Sequence, residues 1–64
     1  MKKYIDINFE NGTFIYEGEI FITNTKSVYF YNLFGDKLRL NIRNLTVYKN
    51  GKYFGKAKNY IINF

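Results

Sequence analysis

Two Asn-Gly pairs, Asn11-Gly12 and Asn50-Gly51, interrupt stretches in which apolar and polar residues alternate. Both central residues of a type I′ turn need φ > 0, which Asn and Gly tolerate best, and the turn matches the twist of the strands it joins. Each pair therefore predicts a hairpin. Gly35-Asp36 fits a type II′ turn, with Gly at the first central position, and Asn24-Thr25-Lys26 reads as a looser connection. Helical apolar spacing is poor throughout, while β-branched and aromatic residues alternate with polar ones. The pattern predicts strands over residues 3–10, 13–22, 27–34, 37–43, 45–49 and 52–57, with a short closing strand at 60–64. The fold class is all-β: a small antiparallel meander of five to six strands.

Register decides which side chains share a face. A two-residue turn at 11–12 pairs Phe9 with Phe14, Ile7 with Tyr16 and Ile5 with Gly18, which puts all six on the core side. Tyr4, Asp6, Asn8, Glu10, Thr13, Ile15, Glu17 and Glu19 then face outward. Gly18 marks a bend or bulge at which a small sheet turns a corner. With short meander spacing this predicts a curled barrel, SH3-like or OB-like, and not a flat sheet with bare edges. The apolar run Tyr60-Ile61-Ile62-Asn63-Phe64 is expected to pair as a strand, either closing the barrel or crossing to a neighbour.

The chain has 64 residues, enough for one domain spanning 1–64, and a domain of this size buries only about 60% of the surface its unfolded chain exposes. It contains no cysteine and no histidine, which removes disulfides, ordinary zinc sites and an imidazole base. Seven Tyr and seven Phe supply the core in their place, each removing roughly 150–250 Å² from water when buried. Oligomerisation is the other usual support for so small a domain. No stretch reaches the roughly 20 apolar residues that span a bilayer, and Asp6 and Asn8 break up any signal-peptide core. A cytoplasmic location, in a cell or in an infected host, is the expectation. The abundance of Asn, Lys, Ile and Tyr suggests an AT-rich coding genome.

Charge is segregated. Residues 1–36 hold Lys2, Lys3 and Lys26 against Asp6, Glu10, Glu17, Glu19 and Asp36, a net of −2. Residues 37–64 hold seven cations (Lys37, Arg39, Arg43, Lys49, Lys52, Lys56 and Lys58) and no acid, which gives the overall +5. Such asymmetry favours an anionic partner, although it also serves solubility.

The cleanest alternation, Lys37 to Arg43, sets Leu38, Leu40 and Ile42 on one side and Lys37, Arg39, Asn41 and Arg43 on the other. Residues two apart on a strand lie about 6.6 Å apart, near the spacing of backbone phosphates, and arginine forks suit phosphate. The plain reading is an amphipathic strand with a basic outer side. Aromatic neighbours depend on the turn at Gly35-Asp36. A two-residue turn sets Phe30 across from Asn41 on the polar side, with Tyr29 and Tyr31 in the core. A three-residue loop flips the parity, so that Tyr29 and Tyr31 flank Arg43 and Asn41. The second Asn-Gly hairpin pairs Tyr48 with Tyr53, Val47 with Phe54 and Lys49 with Lys52. Lysines at that tip, with Lys56 and Lys58 beyond, form either a phosphate-seeking finger or a solvated tip.

Opposed acids, Asp6 and Glu17, read chiefly as a solvated face or a docking surface for a basic partner. No nucleophile, base or metal set is visible, so the sequence predicts a non-enzymatic protein with no cofactor and no metal. Two binding readings remain. In one, the chain binds nucleic acid through Lys37, Arg39, Arg43, Lys49, Lys52, Lys56 and Lys58, with Phe30, Tyr29, Tyr31, Tyr48 and Tyr53 as stacking candidates. In the other it is a protein-binding inhibitor or accessory module of a larger protein, of the kind encoded by phages or mobile elements.

Overall fold

A computed structural model describes residues 2–63. Six strands follow one another: β1 (Lys3–Phe9), β2 (Phe14–Thr23), β3 (Ser27–Tyr31), β4 (Lys37–Asn41), β5 (Thr46–Lys49) and β6 (Lys52–Asn63). Every pairing is antiparallel, each strand pairs with its chain neighbours, and β1 pairs with β6, so the sheet is a closed barrel. The all-β meander curled into a small barrel, read from the turn chemistry, is the architecture found. Closure leaves no bare strand edge in the ring. The connections alternate between its two ends. Loops 10–13, 32–36 and 50–51 share one end, here the upper end; loops 24–26 and 42–45 share the other.

The core is Ile5, Ile7, Phe9, Val28, Phe30, Leu38, Leu40, Val47 and Ala57, with Ile15, Ile20, Ile42, Leu45, Tyr60 and Ile62 packed around it. The expected closing strand at 60–64 is the second half of a single long β6, which pairs first with β5 and then with β1; Phe64 lies outside the described residues. Gly18 is buried for a steric reason. A Cβ there would stand 2.5 Å from Cδ2 of Phe30 and 3.3 Å from Cγ2 of Ile5, so the largest core ring lies directly against the β2 backbone.

Loop lengths and bulges reset three registers. At the first Asn-Gly pair the loop is three residues, Glu10-Asn11-Gly12. The Phe9 amide donates to the Thr13 carbonyl (2.9 Å), the Gly12 amide to the Phe9 carbonyl (3.1 Å), and Gly12 takes φ 89°. The extra residue flips the parity of β2, so Ile7 pairs with Ile15 and Asn8 with Phe14. Phe14 and Tyr16, expected in the core, are therefore outside, while Ile15 packs inward. A bulge then sets Tyr16 and Glu17 against the single residue Asp6, with Glu17 at φ 54°, and restores the expected Ile5–Gly18 pair. The Asp6 carboxylate secures this bulge by accepting from the Glu17 amide (2.8 Å), and its other oxygen accepts from Asn63 Nδ2 (3.2 Å) across the β1–β6 seam.

The β3–β4 connection is a three-residue loop, the second of the two turns weighed from sequence, but it lies two residues earlier, at Leu33-Phe34-Gly35 between Asn32 and Asp36, with the backbone pattern of the first loop and Gly35 at φ 82°. Its parity buries Phe30 completely and turns Tyr29 and Tyr31 outward. Their partners are Arg39 and Lys37, in place of Arg43 and Asn41. At the second Asn-Gly pair, Asn50 (φ 50°) and Gly51 (φ 85°) make the expected two-residue turn, and Tyr48–Tyr53 and Lys49–Lys52 pair as read. A bulge at Phe54 then moves the partner of Val47 to Gly55.

Candidate nucleic-acid interface

Parity on β3, β4 and β5 sends one residue type in and the next out, and the outward set converges. Tyr29 pairs with Arg39, Arg39 with Tyr48, and Tyr48 with Tyr53. These four side chains form one row across four strands spaced about 4.8 Å apart. The Arg39 guanidinium carbon lies 4.7 Å from the centroid of the Tyr48 ring. Tyr48 and Tyr53 meet edge to face, with centroids 5.9 Å apart at 81°. Stacking on a ring holds the arginine's planar fork in place while its N–H edges stay free to donate. A shallow depression of about 200 Å³ lies between Tyr29, Arg39 and Tyr48 and reaches Asn50 and Gly51.

A second outward row continues the surface toward β2. Tyr31 pairs with Lys37, and the Tyr31 ring stacks on Phe21 with centroids 4.4 Å apart at 26°. Lys37 Nζ lies 5.8 Å from the Phe21 ring centre. Phe21 was not among the residues singled out from sequence. A usable signal existed, since Gly18 and Ile20 facing inward imply that Phe21 faces outward, and the bulge between Ile20 and Ile22 accommodates it as an extra residue.

The structure thus brings together Tyr29, Tyr31, Lys37, Arg39, Tyr48 and Tyr53. Lys52, at the β5–β6 tip, and Lys56, opposite Thr46 on β6, border this face. Four candidates are placed otherwise. Phe30 is fully buried and leaves the set of stacking residues. Arg43 is not on the strand. Asn41 ends β4 by accepting from the amides of Arg43 (2.9 Å) and Asn44 (3.4 Å), which puts Arg43 in the lower-end turn. Lys49 already holds an ion pair, its Nζ 3.4 Å from Asp36 Oδ2. Lys58 lies in the irregularity between β6 and β1, away from the row.

Two acids border the face: Glu19 pairs with Tyr31 across β2 and β3, and Asp36 holds Lys49. Asp6 on β1, Glu10 in the β1–β2 loop and Glu17 on β2 lie away from β4 and β5. Glu19 pairs with Lys2 (3.6 Å). Asp36 is the one described acid whose proton affinity clearly departs from the ordinary. The Asn32 side-chain amide foremost, then Asn50 and Lys49, hold its carboxyl below the usual range, with partial desolvation opposing them. Comparison of the chain with protein families, curated proteins and solved structures returns no match. The described residues contain no helix long and apolar enough to cross a membrane.

Proposed function

We propose that this chain is a non-catalytic binding module that takes single-stranded nucleic acid across the outer face of β3, β4, β5 and β6. The observation that carries the reading is the cross-strand row Tyr29–Arg39–Tyr48–Tyr53, with an arginine seated on a ring in the middle of a basic face. Bases stack on open rings, of which Tyr53 is the most exposed at 61%, and the Phe21–Tyr31 pair supplies a second platform. Arg39 and Lys37 meet phosphates, and Lys52 and Lys56 add long-range attraction. Rings that lie along a sheet suit unpaired bases, whose faces are free, better than a duplex, whose bases are already stacked. The strand of nucleic acid runs across the β-strands, and not along β4 as its alternation alone suggests. In this reading the protein works in the cytoplasm.

Fluorescence anisotropy with labelled single-stranded DNA, RNA and duplex DNA, at low and near-physiological salt, tests the proposal. Affinity should fall steeply with salt through counterion release and favour single strands. Tyr53→Ala should weaken binding by roughly 5- to 150-fold, the range of one lost stacking contact of about 1–3 kcal/mol. Arg39→Glu should weaken it further, and Lys58→Glu less than either. Absence of binding at low salt, or indifference to Arg39→Glu, would remove the reading.

A further inference from the structure

The two most exposed large apolar side chains in the described chain are neighbours, Leu33 at 78% and Phe34 at 89%. They stand at the tip of the β3–β4 loop, whose base is tied by a dense set of polar bonds. Asn32 Oδ1 accepts from the Phe34 amide (2.9 Å) and the Asp36 amide (2.9 Å). Asn32 Nδ2 donates to Asp36 Oδ2 (3.1 Å), and Asn50 Nδ2 to Asp36 Oδ1 (3.5 Å). Lys49 closes the network with its ion pair. A flexible loop would let these two side chains collapse onto the barrel, but this one is braced to hold them in water. Bracing removes in advance much of the ordering cost that a contact would otherwise meet.

Beside this knob the upper end of the barrel carries a groove of about 260 Å³, walled by Phe14, Tyr16, Phe54 and the loop itself. It is smaller than most small-molecule sites and on the scale of one or two large side chains. The cation on its wall, Lys49, is already matched by Asp36, so the patch is locally neutral on a chain of net charge +5.

We infer that the upper end is a self-complementary interface, at which two copies of this chain pair about a two-fold axis and each sets its Leu33–Phe34 knob into the other's groove. Knob and groove belong to one patch, which is the requirement of an isologous contact. Local neutrality lets two copies of like net charge meet there and nowhere on the basic face. The exposed parts of Phe14, Tyr16, Leu33, Phe34 and Phe54 amount to roughly 600 Å² per copy at about 200 Å² per full side chain. Two copies then bury roughly 1,200 Å², the lower bound of a stable interface. The closed ring offers no strand edge for pairing, which leaves a side-chain contact of this kind as the route to association.

Sedimentation equilibrium from about 1 µM to 1 mM, a span that brackets micromolar dissociation, reads the equilibrium. The wild type should pass from monomer to dimer, with no weakening at high salt. Phe34→Ser removes the knob and should weaken the dimer by at least about thirtyfold, the effect of one interface hot spot. Tyr16→Glu spoils the groove and should do the same, with Phe14→Ser as the substitute if the charged variant loses its far-UV signal. Mixing the knob variant with the groove variant should restore part of the association, because the mixed pair regains one intact knob opposite a groove that keeps its Phe14, Tyr16 and Phe54 walls. A wild type that stays monomeric at 1 mM overturns the inference, as does a Phe34→Ser protein that still dimerises or a mixture no tighter than its components.

Discussion

Gly18→Ala is the perturbation whose outcome the packing dictates most directly. The added methyl would sit 2.5 Å from Cδ2 and 3.1 Å from Cε2 of Phe30, where carbon atoms rest at about 3.5–4.0 Å. The ring must therefore retreat by about 1 Å, and it is fully buried, paired with Ile20 on one side and Leu38 on the other. Overpacking of this kind costs about 1–3 kcal/mol. Replacing glycine returns about 0.4–1 kcal/mol by restricting the unfolded chain. A net loss of about 1–2 kcal/mol in a domain this small lowers the melting temperature by roughly 5–15 °C. Thermal unfolding followed by circular dichroism measures it, with urea unfolding to confirm an unchanged m-value. Phe30→Leu removes the clashing atoms, so adding Gly18→Ala to that variant should cost less than adding it to the wild type, with a coupling of about 1 kcal/mol. Gly55→Ala serves as a graded control, since its methyl would meet the Phe9 ring at the milder distance of 3.1 Å. A Gly18→Ala protein that melts with the wild type, or a cycle without coupling, would refute both the close approach and the assignment of Phe30 to the core.

Other expectations concern the upper end. Because the Asp36 carboxyl is held below the usual range, its contribution to stability is complete above the unfolded-state pKa and is lost as the pH falls through the lower folded-state value. The melting temperatures of wild type and Asp36→Asn, measured from neutral to strongly acidic pH, should converge on the acid side; a constant gap would contradict the Asn32 and Lys49 contacts. Asn50→Ala should cost about 1–2 kcal/mol, since alanine must take φ 50°. Asn50→Gly should cost less, losing only the side-chain bonds to Lys37 and Asp36, and chemical denaturation separates the two. Phe34→Ser should leave monomer stability within about 0.5 kcal/mol, as expected for an exposed position.

The sequence displayed its strands and its two-residue turn at Asn50-Gly51 because both follow from local chemistry: alternation along the backbone, and two residues that accept φ > 0. Tyr48–Tyr53, Lys49–Lys52 and the Leu38/Leu40 core side were legible for that reason. What misled was single-residue offsets. Asn11-Gly12 occurs equally well at the end of a three-residue loop, where Gly alone is left-handed, and the choice flips every residue that follows. Phe14 and Tyr16 left the core on that account, and the bulge at Tyr16-Glu17, directly before the glycine that the sequence marks as a bend or bulge, brought Gly18 back. At the β3–β4 loop the Asn32 side chain accepts from the Phe34 and Asp36 amides and so fixes the three-residue loop Leu33-Phe34-Gly35. That loop length placed Phe30 inside and Tyr29 and Tyr31 outside. The basic character of the candidate site was legible from charge alone, whereas the row that gives it form depends on ladders between strands and is written in no single segment.

The β1–β6 seam has a consequence for how the chain reaches this state. Its clasps join residues 51 and 57 positions apart, Asn8 with Asn59 and Asp6 with Asn63, whereas the other ladders grow from short turns. Hairpins of that kind form in about 1–10 µs, but the seam must wait for the whole ribbon to curl, so ring closure is expected to set the folding rate. Until it closes, β1 and β6 present two bare edges, each able to pair with another chain. A barrel whose described strands leave no bare edge once closed should thus be most exposed to aggregation at its last step. Changes to Asp6, Asn8, Asn59 or Asn63 should appear first in the yield of soluble protein and only second in its melting temperature.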